Sequence, residues 1–266
     1  MKRVESRTPR FVSFGAIVGV LFLTLPIVGL MKRVAWSTLW SQLTEDVTMQ
    51  ALRASLYASV CATAIALILG LPLAWVLARV QFGARRLVRA LILLPMVLPP
   101  VVGGVALLGA YGKSNGPLGG VLNNVFGIQL TYSLWGVVIA EAFVALPFLV
   151  LALEGGLRSI DTKYEESAAV MGAGDFTRFR LVVLPLLRPS LVSGLLLAWA
   201  RALGEFGATI TFAGNIQGRT QTTPLAVYSL LESNPESAYA LSFLLVAVCV
   251  AVLVGLRDRW IGGGAQ

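Results

Sequence analysis

The chain has 266 residues, of which 57% are hydrophobic and only 13% charged, with a mean hydropathy of +0.81; soluble domains carry about a quarter charged side chains, so an ordinary soluble globule and a disordered chain are both excluded. Two cysteines rule out a disulfide scaffold, and 0 histidines remove His-based triads and most zinc and iron sites. The net charge of +8 would point to nucleic acid in a soluble protein, but in a membrane protein an excess of Lys and Arg first reports topology.

A membrane span needs about 20 mostly apolar residues to cross a hydrocarbon layer of roughly 30 Å. Six stretches qualify, at 11–30, 54–78, 90–110, 133–153, 190–213 and 238–256, leaving little room for a soluble domain. The first follows Lys2, Arg3, Arg7 and Arg10, as a signal peptide would, but Met31-Lys32-Arg33 stands after Leu30 in place of a small-residue cleavage site, so it reads as a retained span. In segment 31–53, Trp36, Leu39, Trp40 and Leu43 recur at helical spacing beside Lys32 and Arg33, which predicts an interfacial helix. The third span crowds Pro95, Pro99 and Pro100 ahead of Gly103 and Gly104; broken backbone at membrane depth survives only where it is packed in protein or lines a cavity. With the N-terminus in the cytoplasm, fifteen basic residues fall in inside segments against five outside, and Arg201 lies within a span. Six spans with both termini inside satisfy the positive-inside tendency, and the basicity is topology rather than a nucleic-acid footprint.

Three features are set aside. Gly112-Lys113-Ser114 looks like the end of a phosphate-binding loop, but Leu107 stands where that motif needs a glycine, and the charge map puts the tripeptide outside. Cys61 and Cys249 lie in apolar runs and read as small core residues, and Trp135 and Trp199 read as interfacial or packing residues. The loop carboxylates lack the enclosing pocket that acid–base chemistry requires.

The longest inside segment follows the fourth span. Asp161 is placed to cap a helix over Lys163 to Met171, Gly172 to end it in the left-handed region, and Asp175 to cap a second helix that lasts until Pro185. Phe176 and Phe179, three apart, share a face of that helix, either for docking or for packing against the spans. On spacing alone this is equally a solvated juxtamembrane helix pair.

In the fifth span Arg201 and Glu205 are four apart on one helix face. Charges in a membrane are costly; these two either neutralise one another or face a water-filled pathway, with Arg201 attracting an anion or Glu205 helping a gate. Glu141, alone in the fourth span, is either hydrogen-bonded and protonated in the bundle or part of a pathway.

The inside segment resembles the EAA loop of ABC importer permeases through Glu166, Ala168, Gly172, Leu184 and Pro185, with Ser167 where alanine is usual. The resemblance implies a coupling helix seated in a groove of an ATP-binding subunit, with the glutamate facing a basic residue of that partner. Asp161, Glu165, Ala169, Ala173, Phe176 and Phe179 complete the candidate docking segment. The run from Arg201 to Pro224 resembles permeases of the molybdate and sulfate importer group, which share Gly204-Glu205-Phe206-Gly207; the continuation through Thr209, Thr211, Phe212 and Gly214-Asn215-Ile216 looks more like the molybdate branch. Arg201, Glu205, Phe206, Thr209, Thr211 and Asn215 are the candidate pathway or gate.

The resemblance implies an all-α polytopic membrane protein of the type I importer permease fold: one domain over 1–266, with an extra span in 1–50 and the coupling loop in 154–188. It also implies a homodimer in the inner membrane, two copies of a cytoplasmic ATPase that hold ATP and magnesium, and an extracytoplasmic oxyanion-binding protein. This chain would bind no cofactor or metal, carry no catalytic residue and contact no nucleic acid. Three other readings stand beside it: a sulfate or thiosulfate permease; an ATP-independent secondary transporter or channel using Arg201, Glu205 and Glu141, which internal repeats would favour although none is convincing; and a membrane-embedded enzyme, which would need convergent catalytic groups near the interface.

Overall fold

The computed structural model describes residues 10–113 and 116–261; Lys2, Arg3 and Arg7 ahead of the first span, and Ser114 of the Gly-Lys-Ser tripeptide, lie outside them. Among the described residues every regular element is helical. In chain order these are α1 (Arg10–Arg33), α2 (Leu39–Leu43), α3 (Asp46–Arg79), α4 (Arg85–Val97), α5 (Pro100–Tyr111), α6 (Pro117–Phe126) and α7 (Leu134–Ser159). They continue with α8 (Lys163–Val170), α9 (Asp175–Arg178), α10 (Leu184–Leu203), α11 (Gly207–Phe212), α12 (Thr223–Ser233) and α13 (Pro235–Ile261).

Helix α7 is the axle of the bundle: 67% of its apolar stretch is buried, against 0% for α1 and 33% for α3. Lipid tails are as apolar as leucine, so helices in a membrane associate through close packing, and small residues permit it. On α3, Ala58, Ala62, Ala66, Gly70 and Ala74 recur every four residues and are all buried; a Cβ on Gly70 would stand 3.3 Å from the Val150 side chain of α7. Helix α10 closes on α7 still more tightly, since a Cβ on Gly156 would lie 2.5 Å from Ser190 Cβ and one on Gly194 2.9 Å from Ala152 Cβ. Leu149, Leu153 and Leu157 of α7 fill the space between, with Leu187 of α10 and Leu77 of α3. Helix α1 lies outside this core beside α13, where Trp36 meets Phe243 edge-on at 5.1 Å.

The spans depart from the sequence expectation in four places, one of them the fifth span, expected as one stretch over 190–213 but broken at Gly204 to Phe206. The third is two helices, α4 and α5, turned by 120° at Leu98 and Pro99. Pro99 and Pro100 supply no amide hydrogen there, so the helical ladder cannot cross. The interfacial segment is shorter than expected: only Leu39–Leu43 is helical, with Trp40 exposed, and α3 begins at Asp46 because nothing between Asp46 and Leu56 breaks a helix. The second inside helix does not stop at Pro185 but runs from Asp175 to Leu203 through one wide π turn, Phe179–Val183. The Leu184 amide donates to the Phe179 carbonyl, five residues back, and this widened turn falls directly before Pro185, which has no amide hydrogen to continue the ladder. Helices α6 and α12 are further elements that the span pattern does not predict, although Gly116-Pro117 and Thr222-Thr223-Pro224 carry the cap-then-proline signal that opens them.

The α7–α10 contact makes a testable contrast between neighbouring glycines. Gly156→Val should lower the melting temperature of the detergent-purified protein by the equivalent of about 1–3 kcal/mol, the usual cost of overpacking. Gly155→Ala, where a Cβ meets nothing within 4 Å, should leave it unchanged or raise it slightly.

Candidate functional site

Two parts of the chain carry the polar chemistry. The first is the loop between α7 and α10, expected on the inside. Helix α7 runs through Ser159, so Glu154 and Arg158 belong to its last turns rather than to the loop. The cap of α8 falls one residue later than expected: Thr162 holds the cap position and makes no side-chain bond, while an Asp161 carboxylate oxygen ahead of it accepts the Lys163 amide at 3.0 Å. At its other end Gly172 sits at φ +86, with its amide on the Ala169 carbonyl at 2.9 Å and the Ala173 amide on the Ala168 carbonyl at 3.0 Å. This paired pattern closes the helix in the left-handed region, which glycine adopts without strain. The start of α9 differs from expectation: Gly174 holds the cap position and makes no side-chain bond, while Asp175 lies inside the helix and pairs with Arg178 three residues on.

The loop presents two faces. Towards the bundle, Ala168 is buried, Glu165 pairs with Arg79 at the end of α3 at 2.7 Å, and Phe179 stacks edge-on against Trp75 of α3 at 5.6 Å. Arg79 also donates to the Ile160 carbonyl at 3.3 Å, binding the loop's entry to the same point. Away from the bundle, Glu166, Ala169, Tyr164, Val170 (90% exposed), Met171 (81%) and Phe176 (73%) face outward, while Ala173 and Leu184 are half-buried and Pro185 is exposed. The structure thus separates the two glutamates, Glu165 holding the loop to α3 and Glu166 left outside, and it separates Phe179 from Phe176. Large apolar side chains clustered beside a carboxylate on a loop outside the spans form a surface suited to a partner.

The second part is the break after α10. Gly204 to Phe206 interrupt the helix, and α11 resumes at Gly207. Glu205 is 1% exposed and doubly used: one carboxylate oxygen meets Arg201 at 2.6 Å, and the other accepts the Ala208 amide at 2.9 Å in the first turn of α11. The pairing alternative for Arg201 and Glu205 is therefore realised, and the carboxylate also satisfies an amide that the helix itself leaves open. Helix α11 lies against α5 with almost no side chain between them; a Cβ on Gly207 would stand 2.7 Å from Pro100 Cβ, and one on Gly104 2.6 Å from Thr211 Cβ. The α5 half of the broken third span is thus packed against α11 on one side, while Pro99 and Pro100 at the break itself are exposed.

The other candidates take local roles. Phe206 leans on Tyr228 at 5.4 Å, and Thr211 donates to the Gly207 carbonyl at 2.8 Å. Asn215 donates to Ser229 at 2.9 Å and accepts from Gln221 at 3.0 Å, holding the segment outside α11 together. Thr209 is fully buried with its hydroxyl unpartnered, and Glu141, equally buried, keeps one carboxylate oxygen unpartnered. An apolar cavity of about 370 Å³ lies between α3, α5 and α7, lined by Ile65, Leu107, Tyr111 and Phe143 among others, and neither Arg201 nor Glu205 lines it.

Sequence reasoning missed the arginine work at the end of the bundle where α3 meets α4. Glu154, 3% exposed, is clamped by Arg158 at 2.7 Å and by Arg89 of α4, and the Leu77 carbonyl near the end of α3 accepts from Arg85 and, at 3.5 Å, from Arg158. The available signal was Glu154 and Arg158 four apart at the end of an apolar run.

Residues 66–262 match the family model described as binding-protein-dependent transport system inner membrane component. The chain is 46% identical to the molybdenum transport system permease protein ModB of Mycobacterium tuberculosis, over 94% of each chain. It is 37% identical to the sulfate transport system permease protein CysT of Salmonella typhimurium, over 66% of this chain and 63% of that one. Among solved structures, a chain of a bacterial ABC transporter involved in the import of alginate superposes with a TM-score of 0.73 at 16% identity, covering 96% of both chains, a likeness of fold. The chain belongs to the family of binding-protein-dependent transport system inner membrane components: it is an all-α, multi-pass inner-membrane transport protein.

The Glu205 node can be dissected by two substitutions. Glu205→Gln keeps an acceptor for the Ala208 amide but removes the charge opposite Arg201, whereas Glu205→Ala removes both. Thermal unfolding should rank wild type above Gln and Gln above Ala, with steps of about 1–3 kcal/mol, and equal losses would show that the cap contributes nothing.

Proposed function

We propose that this chain is the membrane subunit of an ATP-driven importer that carries molybdate, with tungstate as a close mimic, into the cytoplasm. The observation that carries the cargo assignment is the 46% identity to ModB over 94% of both chains. The EAA-like loop carries the coupling assignment, because it is built as a lever: Glu165 and Phe179 fasten it to α3, and Glu166, Met171 and Phe176 stand outward for a partner.

In this reading two copies of the chain form a homodimer with the pathway along the two-fold axis. Each copy docks one cytoplasmic ATPase, which holds ATP and magnesium; an extracytoplasmic oxyanion-binding protein delivers cargo, and both termini lie in the cytoplasm. ATP binding draws the ATPases together, moves both loops and turns the pathway outward; hydrolysis resets it. Nucleotide acts only through its different affinities for the two conformations, and the loop is where that difference reaches the spans. No catalytic residue of this chain takes part.

The test is uptake of labelled molybdate by cells expressing the chain with its ATPase and binding protein. Uptake should vanish without this chain and should be competed by tungstate but not by sulfate. Competition by sulfate would move the chain to the sulfate branch, the second reading that the likeness to CysT supports, and uptake that persists with a dead ATPase would favour an ATP-independent transporter. Within the same assay, Glu166→Lys should abolish uptake and ATPase co-purification while leaving the melting temperature unchanged, since Glu166 is exposed.

A further inference from the structure

Two of the spans are broken, and the breaks fall side by side. The turn at Leu98 and Pro99 leads into α5 at Pro100, and the gap from Gly204 to Phe206 leads into α11 at Gly207. A Cβ on Gly207 would stand 2.7 Å from Pro100 Cβ; one turn further along, a Cβ on Gly104 would stand 2.6 Å from Thr211 Cβ and 2.9 Å from the Ala208 carbonyl oxygen. Helices α5 and α11 therefore start together, run parallel and meet backbone to backbone, the kind of contact that holds its shape. What surrounds the pair is looser. Among the described residues no hydrogen bond or ion pair joins α5 or α11 to α3 or α7. Helix α11 meets α7 through apolar side chains, Ala208 and Phe212 against Ala140 and Val144, and the buried Thr209 hydroxyl has no partner. Between α5 and α3 lies the apolar cavity of about 370 Å³, bordered by Ile65 and Leu69 of α3 and by Ala106 and Ala110 of α5. The breaks are open as well, since Pro99, Pro100 and Gly204 are all exposed. Past the far end of α11, Gly214 at φ +78 separates the helix from Asn215, which is held to Ser229 of α12.

The geometry points to α5 and α11 moving as one rigid body, hinged at Leu98–Pro99 and at Gly204–Phe206, with the cavity beside α5 as the room for its travel. Hinges are a few residues at the ends of elements that absorb the change in backbone angles, while the packed unit between them keeps its form. Both breaks have that character, and their place side by side lets one rotation serve both helices. Glu205 is the pin of the second hinge. One of its oxygens holds Arg201 of α10 and the other holds the Ala208 amide of α11, so a rotation there must release one of the two bonds. This deepens the importer reading and rests on it for what drives the motion.

The test uses the full chain with Cys61 and Cys249 replaced by alanine, reconstituted with its ATPase and binding protein, and a short reducible reagent that joins two thiols. Leu108→Cys with Thr211→Cys fastens α5 to α11, and Leu69→Cys with Ala106→Cys fastens α3 to α5 across the cavity. Linking the first pair should leave molybdate uptake as it is in the same protein before linking. Linking the second should abolish uptake until the link is reduced. Loss of uptake on the first link, or uptake that survives the second, would overturn the proposal. Failure of the importer reading shows itself differently, as an absence of uptake in the unlinked proteins. Spin labels on the same four cysteines give a readout that needs no cargo. Between nucleotide-free protein and protein whose partner holds ATP trapped by vanadate, the α5–α11 separation should stay fixed while the α3–α5 separation changes, and any other pattern would overturn the proposal.

Discussion

The structure depends on one constraint, that polar groups at membrane depth must find their partners inside the protein. Each break in a span is met by a specific local answer. Where α10 ends, the Glu205 carboxylate takes the open amide of Ala208 and the charge of Arg201 together. Just beyond the turn from α4 into α5, α5 is pressed against α11 at Gly104 and Gly207, positions where a Cβ would stand under 3 Å from a neighbouring atom. Near the end of α3, arginines from α4 and α7 cap the Leu77 carbonyl. Helix α7 touches each of these regions, which is why it is the most buried of the spans.

The same end of α3 organises the surface that faces the cytoplasm in the proposed reading. A loop that transmits force must be stiff and must be joined to the spans. The Asp161 bond to the Lys163 amide and the left-handed turn at Gly172 bracket α8. The Arg79–Glu165 pair and the Trp75–Phe179 contact fasten the loop at two points one turn apart on α3. The π turn then passes without interruption into α10, so one continuous helix joins the loop to the segment that carries Arg201 and Glu205. Packed cores have discrete rather than graded arrangements, so a small displacement at the loop can select between two states of the break.

Most of the spans were legible because a bilayer imposes length and hydropathy on every crossing, and the end of the loop's first helix was legible because the terminal glycine Gly172 is a local signal, while both expected capping residues, Asp161 and Asp175, stand one residue away from the cap. What escaped was tertiary. Pro99 and Pro100 marked a break but could not reveal a turn of 120°, which depends on how α5 seats against α11. Glu165 and Glu166 are neighbours of equal charge, and only the position of Arg79 decides which of them is spent inside. The inside arginines were read as topology, yet Arg85, Arg89 and Arg158 also neutralise a buried carboxylate and cap a helix. The continuation through Pro185 rests on a π turn, a geometry with no reliable sequence signature.

The claim on which the rest turns is that the Arg79–Glu165 pair joins the loop to the spans, and a charge exchange tests it directly. ATP hydrolysis stimulated by cargo-loaded binding protein should be measured for Arg79→Glu, Glu165→Arg and the double exchange in the reconstituted transporter. Each single exchange sets like charges together and should uncouple hydrolysis from cargo; the double exchange should recover coupling substantially, with an interaction energy of about 0.5–3 kcal/mol between the two sites. Full coupling in the single exchanges, or a double exchange no better than either, would contradict the account.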